Sequence, residues 1–98
     1  MRPTALSPAE IDAWRHVHSD WNYADGTVTR TFPFESYGKA LGFVVTLGAL
    51  AERRDHHPDL RLTWGKVTVS LTTHDAKGVT KLDLDFAAAA DETFGAAS

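Results

Sequence analysis

Residues 67 to 73 alternate without a fault. Val67, Val69, Leu71 and Thr73 fall on one side, and Thr68, Ser70 and Thr72 on the other. Successive strand side chains point to opposite faces, so this segment is predicted to be a strand with one face packed and one open. Just before it, Leu60, Leu62 and Trp64 alternate with Asp59, Arg61 and Thr63, and Gly65-Lys66 reads as the turn between two strands. A chain holding such a hairpin must supply a sheet and something apolar to cover it. Trp21 to Ala24, Asp25-Gly26 and Thr27 to Phe32 read as a second hairpin, because Asp-Gly tolerates the positive φ angles of a tight turn. Pro33 ends that strand, having no N–H for the ladder.

Helices fill the rest. Ser7-Pro8-Ala9-Glu10 is a capping box with proline at the first helical position, and it opens a helix from Pro8 to His18 that buries Leu6, Ile11 and Trp14. A long helix is predicted from Glu35 to Arg54. Tyr37, Leu41, Val44 or Val45, Gly48 and Ala51 form its apolar stripe. Gly38, Gly42 and Gly48 each weaken it by about 1 kcal/mol relative to alanine. Pro58 stops it. Thr80-Lys81-Leu82-Asp83 is a second capping box, with Asp in place of Glu, opening a last helix through Ala90 or beyond. That helix is expected to turn Leu82, Phe86 and Ala89 inward. The order α-β-β-α-β-β-α predicts an α+β two-layer sandwich, a four-stranded antiparallel sheet with helices on one face.

Composition limits what the fold can be used for. Ninety-eight residues make one domain, residues 1–98, with 43% apolar and 23% charged side chains. So small a chain buries only part of its surface, and open sheet edges invite pairing with a second copy. Net charge is −3 and the basic residues are scattered, which argues against nucleic-acid binding. There is no cysteine, hence no disulfide and no thiolate metal site. The longest apolar run, Leu41 to Ala51, is too short to span a bilayer. The first residues lack the apolar core of a signal peptide, so a cytoplasmic location is expected.

The chemistry-bearing residues are concentrated in Glu52-Arg53-Arg54-Asp55-His56-His57-Pro58, then Thr73-His74-Asp75, then Asp83. Histidine is the side chain whose ordinary titration range lies near neutrality, so it can give and take a proton at working pH. The spacing of Glu52 and His56 places them on one helix face within hydrogen-bonding reach. All these groups lie where elements end, the usual place for sites on a rigid scaffold. Each also has a structural role open to it: a helix-end cap for His56 or His57, a surface loop for His74, the capping box for Asp83, a solvated ion pair for Glu52. His16 and His18 show no partner pattern and are assigned to the solvated face of the first helix. Three histidines also bring a zinc site to mind, but adjacent histidines ligate one ion poorly and H-E-x-x-H is missing.

The pattern Glu52-x3-His56-His57-Pro58-x5-Trp64-x9-His74-x8-Asp83 resembles the signature of the pterin-4a-carbinolamine dehydratase family. Arg30-x-Phe32-x-Phe34, Ala51-Glu52, Thr73-His74-Asp75 and Gly78 extend it from about Leu6 to Asp91. The resemblance implies dimers that extend the sheet, often paired into tetramers. It implies dehydration of a 4a-hydroxytetrahydropterin to the quinonoid dihydropterin, with no metal and no organic cofactor. By the same analogy His56 and His74 are the acid–base candidates. His57 binds substrate and assists, Glu52 orients His56, and Asp83 holds another member of the cleft. Pro58 and the segment Thr73, His74, Asp75 and Ala76 line the pterin pocket. Trp64 either fills the core or covers the flat ring. The chain departs from the family pattern in carrying Leu60 for an aromatic residue, Gly65 for asparagine and Tyr37 for phenylalanine. Relatives that serve as dimerisation cofactors or assembly chaperones make a protein-binding role the alternative. A metal-dependent hydrolase using His56, His57 and His74 is the third.

Overall fold

A computed structural model describes residues 3–97. Its elements are α1 (Pro8–Val17), β1 (Asn22–Ala24), β2 (Thr27–Pro33), α2 (Tyr37–Arg54), β3 (Asp59–Thr63), β4 (Lys66–Leu71), a single 3-10 turn at His74–Ala76, and α3 (Lys81–Ala97). The four strands form one antiparallel sheet in the order β1-β2-β4-β3. This is the α+β sandwich that the pattern of elements predicted.

Local chemistry sets the boundaries. Ser7 and Glu10 complete the capping box of α1, each side chain bonding the other's backbone N–H. The Ser7 contacts hold the Glu10 carboxyl below the usual glutamate range. Asp25 and Gly26 both take positive φ, 54° and 72°, as the two central positions of a tight hairpin require. In the β3–β4 hairpin the turn is one residue earlier than expected. It falls at Trp64 and Gly65, with Gly65 at φ 79°, and Lys66 joins β4. Trp64 thereby sits at the hairpin tip, 76% exposed, so it neither fills the core nor covers the cleft of its own chain.

One face of the sheet carries the core. Val28, Phe32, Val67, Val69 and Leu71 meet Ala40, Phe43, Leu47 and Ala51 of α2 and Phe86, Ala87 and Ala90 of α3, with Ile11 and Trp21 closing one side. The opposite face is polar, where Thr29 meets Ser70 and Thr31 meets Thr68 across β2 and β4. Two helical stripes differ from expectation. On α2 the buried row is Ala40, Phe43, Leu47 and Ala51; of the expected stripe Ala51 is buried and Val44 packs against the core, while Tyr37, Leu41 and Val45 face outward. On α3 the inward residues are Asp83, Phe86, Ala87 and Ala90, and Leu82 is exposed. In both helices two apolar rows run side by side, and period alone does not say which one meets the sheet. His18 also differs from expectation. It caps the end of α1, where Nδ1 lies 2.9 Å from the Trp14 carbonyl and the ring stacks on Trp14 at 4.4 Å.

Candidate active site

Two left-handed residues position the histidine-bearing segments. The last turn of α2 is closed by Asp55 at φ 49°, and the N–H of His56 donates to Ala51 O at 3.2 Å. This is the Schellman-type ending that usually employs glycine. It carries His56 off the helical path and towards the start of α3. Beyond β4, Thr73 and Gly78 bond each other's backbone at 3.0 and 3.3 Å, closing a small loop. Inside it the 3-10 turn holds His74, Asp75 and Ala76, and Lys77 ends the turn at φ 58°. Here the left-handed residues end a helix and a 3-10 turn, positions where glycine is the usual choice.

The loop and the helix end meet. His56, His57, Thr72, Thr73, His74 and Asp75 line a cleft of about 240 Å³. The sequence therefore located five of six wall residues; Thr72 was missed, since nothing distinguishes it in a threonine-rich strand. Pro58 and Ala76 are half-buried beside the wall, not on it. Asp83 and Glu52 stand behind it, each against one imidazole. His56 also borders a larger hollow of about 500 Å³ between α2 and α3, with Arg54, Leu82, Asp85, Ala88, Ala89 and Glu92. That hollow holds one histidine, whereas the smaller cleft gathers three, which makes the smaller one the candidate site.

The carboxylate partners are not those expected from spacing. Glu52 does not reach His56, because the left-handed turn at Asp55 takes His56 away from the helix face. Glu52 Oε1 lies instead 2.9 Å from His57 Nε2, an exposed pair. His56 Nε2 lies 2.6 Å from Asp83 Oδ1. The Asp83 side chain is fully buried and that of His56 is 11% exposed. Asp83 is anchored by α3 itself. Its Oδ2 accepts the Thr80 N–H at 2.8 Å, as in a capping box, and the Thr73 hydroxyl at 2.8 Å. The first turn of a helix favours a carboxylate through its free N–H groups and dipole. One residue thus starts α3, ties it to the end of β4 and orients an imidazole at the cleft wall.

Such an arrangement suits proton transfer. His56 is held by the buried Asp83 side chain, His57 is paired at the exposed rim, and His74 is exposed on the 3-10 turn. Among the described residues, no group of three or more His, Asp or Glu side chains is placed to hold a metal ion. No helix among them is long and apolar enough to cross a membrane.

Comparisons with known proteins find relatives along most of the chain. The sequence profile of the family described as pterin 4 alpha carbinolamine dehydratase matches residues 4–93. A protein of Roseiflexus sp. (strain RS-1), provisionally named a pterin-4-alpha-carbinolamine dehydratase, is 44% identical over 91% of this chain and 96% of its own length. One from Natronomonas pharaonis with the same provisional name is 46% identical, over 89% of this chain and 92% of its own. The crystal structure of a transcriptional coactivator/pterin dehydratase from Brucella melitensis superposes with a TM-score of 0.86. It is 30% identical, covering 92% of this chain and 98% of that one. A pterin dehydratase-like protein identified as a RuBisCO assembly factor in the alpha-carboxysome shares the fold. Its TM-score is 0.65 at 24% identity, over 76% of this chain and 87% of that one.

Proposed function

Because the chain belongs to the pterin 4 alpha carbinolamine dehydratase family, we propose that it dehydrates a 4a-hydroxytetrahydropterin to the quinonoid dihydropterin in the cytoplasm, as a step of pterin recycling. The observation that carries this reading is the His56–Asp83 pair in the wall of a cleft shared with His57 and His74. The reaction breaks the C4a–O bond and removes the N5 proton. The N5–H electron pair forms the new C4a=N5 bond, and the hydroxyl leaves as water once protonated. The step calls for one proton donor and one acceptor, and no group transfer. His56 and His74, on opposite walls, take these two roles. His57 contacts the substrate at the rim, with Glu52 turning its ring. The walls from Thr73 to Asp75 hold the flat heterocycle, and Pro58 and Ala76 support them from outside the lining.

The test is direct. Purified protein is mixed with freshly generated 4a-hydroxytetrahydropterin and loss of water is followed by absorbance. Acceleration is expected, with a fall of about a hundred- to ten-thousand-fold when His56 and His74 are both replaced by alanine. A rate equal to the uncatalysed one in wild-type protein removes the proposal.

One observation favours an added protein-binding property. Tyr37, Leu41 and Val45 make an exposed apolar row along α2, beside Gly38 and Gly42, where an added Cβ meets nothing within 4 Å. Small residues allow another helix to approach closely. Together with the open edges of β1 and β3, this row supports a homodimer or homotetramer. Light scattering of wild type and Leu41→Arg tests it: a lower mass for the variant supports association through α2, and equal masses remove that contact.

A further inference from the structure

Two buried hydroxyls, that of Thr73 in the cleft wall and that of Thr80 away from it, have no part in the proton transfers above. Thr80 is fully buried and Thr73 is 8% exposed. Thr73 Oγ1 lies 2.8 Å from Asp83 Oδ2 and 2.9 Å from Thr80 Oγ1. The Leu82 N–H donates to Thr80 Oγ1 at 3.2 Å. Among the described residues every buried polar side-chain atom has a partner, so the protons can be counted. A hydroxyl has one proton to give, and an ionised carboxylate has none. The backbone N–H of Thr80 and the hydrogen bonds that favour a charged acceptor at a helix start mark Asp83 as the carboxylate. The Thr73 proton is therefore committed to Asp83 Oδ2. Thr73 has nothing left to donate, so the Thr80 hydroxyl must donate to Thr73. The donors run one way: Leu82 N–H to Thr80, Thr80 to Thr73, Thr73 to Asp83.

Two donors fill Oδ2, and Oδ1 remains for the imidazole 2.6 Å away. Because Asp83 only accepts, the shared proton sits on His56 Nε2. The other ring nitrogen makes no hydrogen bond among the described residues. We propose that Thr73 and Thr80 are positioning residues, whose one-way hydroxyl relay onto Asp83 locks neutral His56 as the Nε2–H tautomer and makes Nδ1 its proton-accepting atom. Buried relays of this kind gain strength from the low local dielectric. A wrong tautomer is costly in histidine catalysis, because it offers an N–H where a lone pair is required.

The experiment has a spectroscopic arm, independent of turnover, and a kinetic arm that rests on the dehydratase reading. In full-length protein labelled with 15N-histidine, long-range proton–nitrogen correlation is recorded alkaline of the imidazole range. His56 is expected to show a protonated Nε2 and a bare Nδ1. Thr73→Val and Thr80→Val are expected to admit the other tautomer. They should also lower kcat about tenfold, the rate equivalent of one hydrogen bond, and Thr80→Val, at a residue off the cleft wall, should leave KM within about twofold. Thr73→Ser and Thr80→Ser are expected to restore both. A protonated Nδ1 in wild-type His56 overturns the proposal, and that spectrum decides even if a valine variant fails to fold. So does a valine variant that folds with tautomer and kcat unchanged, or a serine variant that fails to restore them. A protein with no dehydratase turnover removes the function proposed above, while the His56 spectrum still decides the tautomer.

Discussion

Asp83 and Asp91 lie about two turns apart on α3, yet they meet different kinds of partner. Asp91 gathers Arg30 Nη1 at 2.7 Å and the Trp21 indole N–H at 3.1 Å. The guanidinium lies over the rings of Phe32 and Phe94, at 4.3 and 5.5 Å. The partners of Asp91 are a guanidinium and an indole, neither of which exchanges a proton near neutrality. Asp83 is more deeply buried, but its partner is an imidazole at a cleft wall. The comparison teaches that carboxylates on one helix can be given a fixed cation or a titratable ring as partner, according to where the fold places them. The two differ in burial as well, but the difference that bears on chemistry is a titratable partner facing a cleft.

The sharpest way to break the comparison is to neutralise each carboxylate in turn. Asp83→Asn is expected to cost about a hundredfold or more in dehydration rate per folded molecule, because His56 loses the anion that orients it. Asp91→Asn should leave that rate within about twofold. Its loss falls on stability instead, about 2–3 kcal/mol for charged hydrogen bonds to Arg30 and Trp21, read by urea denaturation. Equal activity losses from both variants would erase the distinction. A smaller effect is expected at the rim. Glu52→Gln leaves His57 unoriented but solvated, so KM should rise a few-fold with stability within about 0.5 kcal/mol, the ordinary value of an exposed pair. The smallest effect lies outside both regions. The carboxyl of Glu10 titrates below its ordinary range in the folded state. Its support for α1 is therefore present above the unfolded value and lost as pH falls through the folded one. Amide exchange at Glu10 and Ile11 should quicken in that acid window in wild type, and show no such step in Glu10→Gln.

Much of this architecture was legible in the chain. Ser7-Pro8-Ala9-Glu10 and Asp25-Gly26 act through contacts within four residues, so sequence alone predicts them well. The alternation of Val67, Val69 and Leu71 was equally clear, because one polar and one apolar face leave a period of two. What failed were choices between neighbours. On α2 the rows Tyr37-Leu41-Val45 and Ala40-Phe43-Leu47 are both largely apolar, and only the sheet decides which is covered. Glu52 was matched to His56 by helical spacing, and a single left-handed residue at Asp55 moved the histidine to Asp83. The Asp91 staple was invisible for a different reason: Arg30 lies 61 residues away from it and Trp21 lies 70 away. Of the candidate site, the histidines were found by their type and their places at element ends. Their partners required the fold.

The claim that the Asp83 end of α3 is the working end is tested most directly by titrating the labelled protein with a stable pterin and following side-chain NMR signals. The imidazole signals of His56, His57 and His74 are expected to shift together along one saturation curve, while the indole N–H of Trp21, held by Asp91, stays in place. Movement of the Trp21 signal with the three imidazoles unchanged would contradict the account.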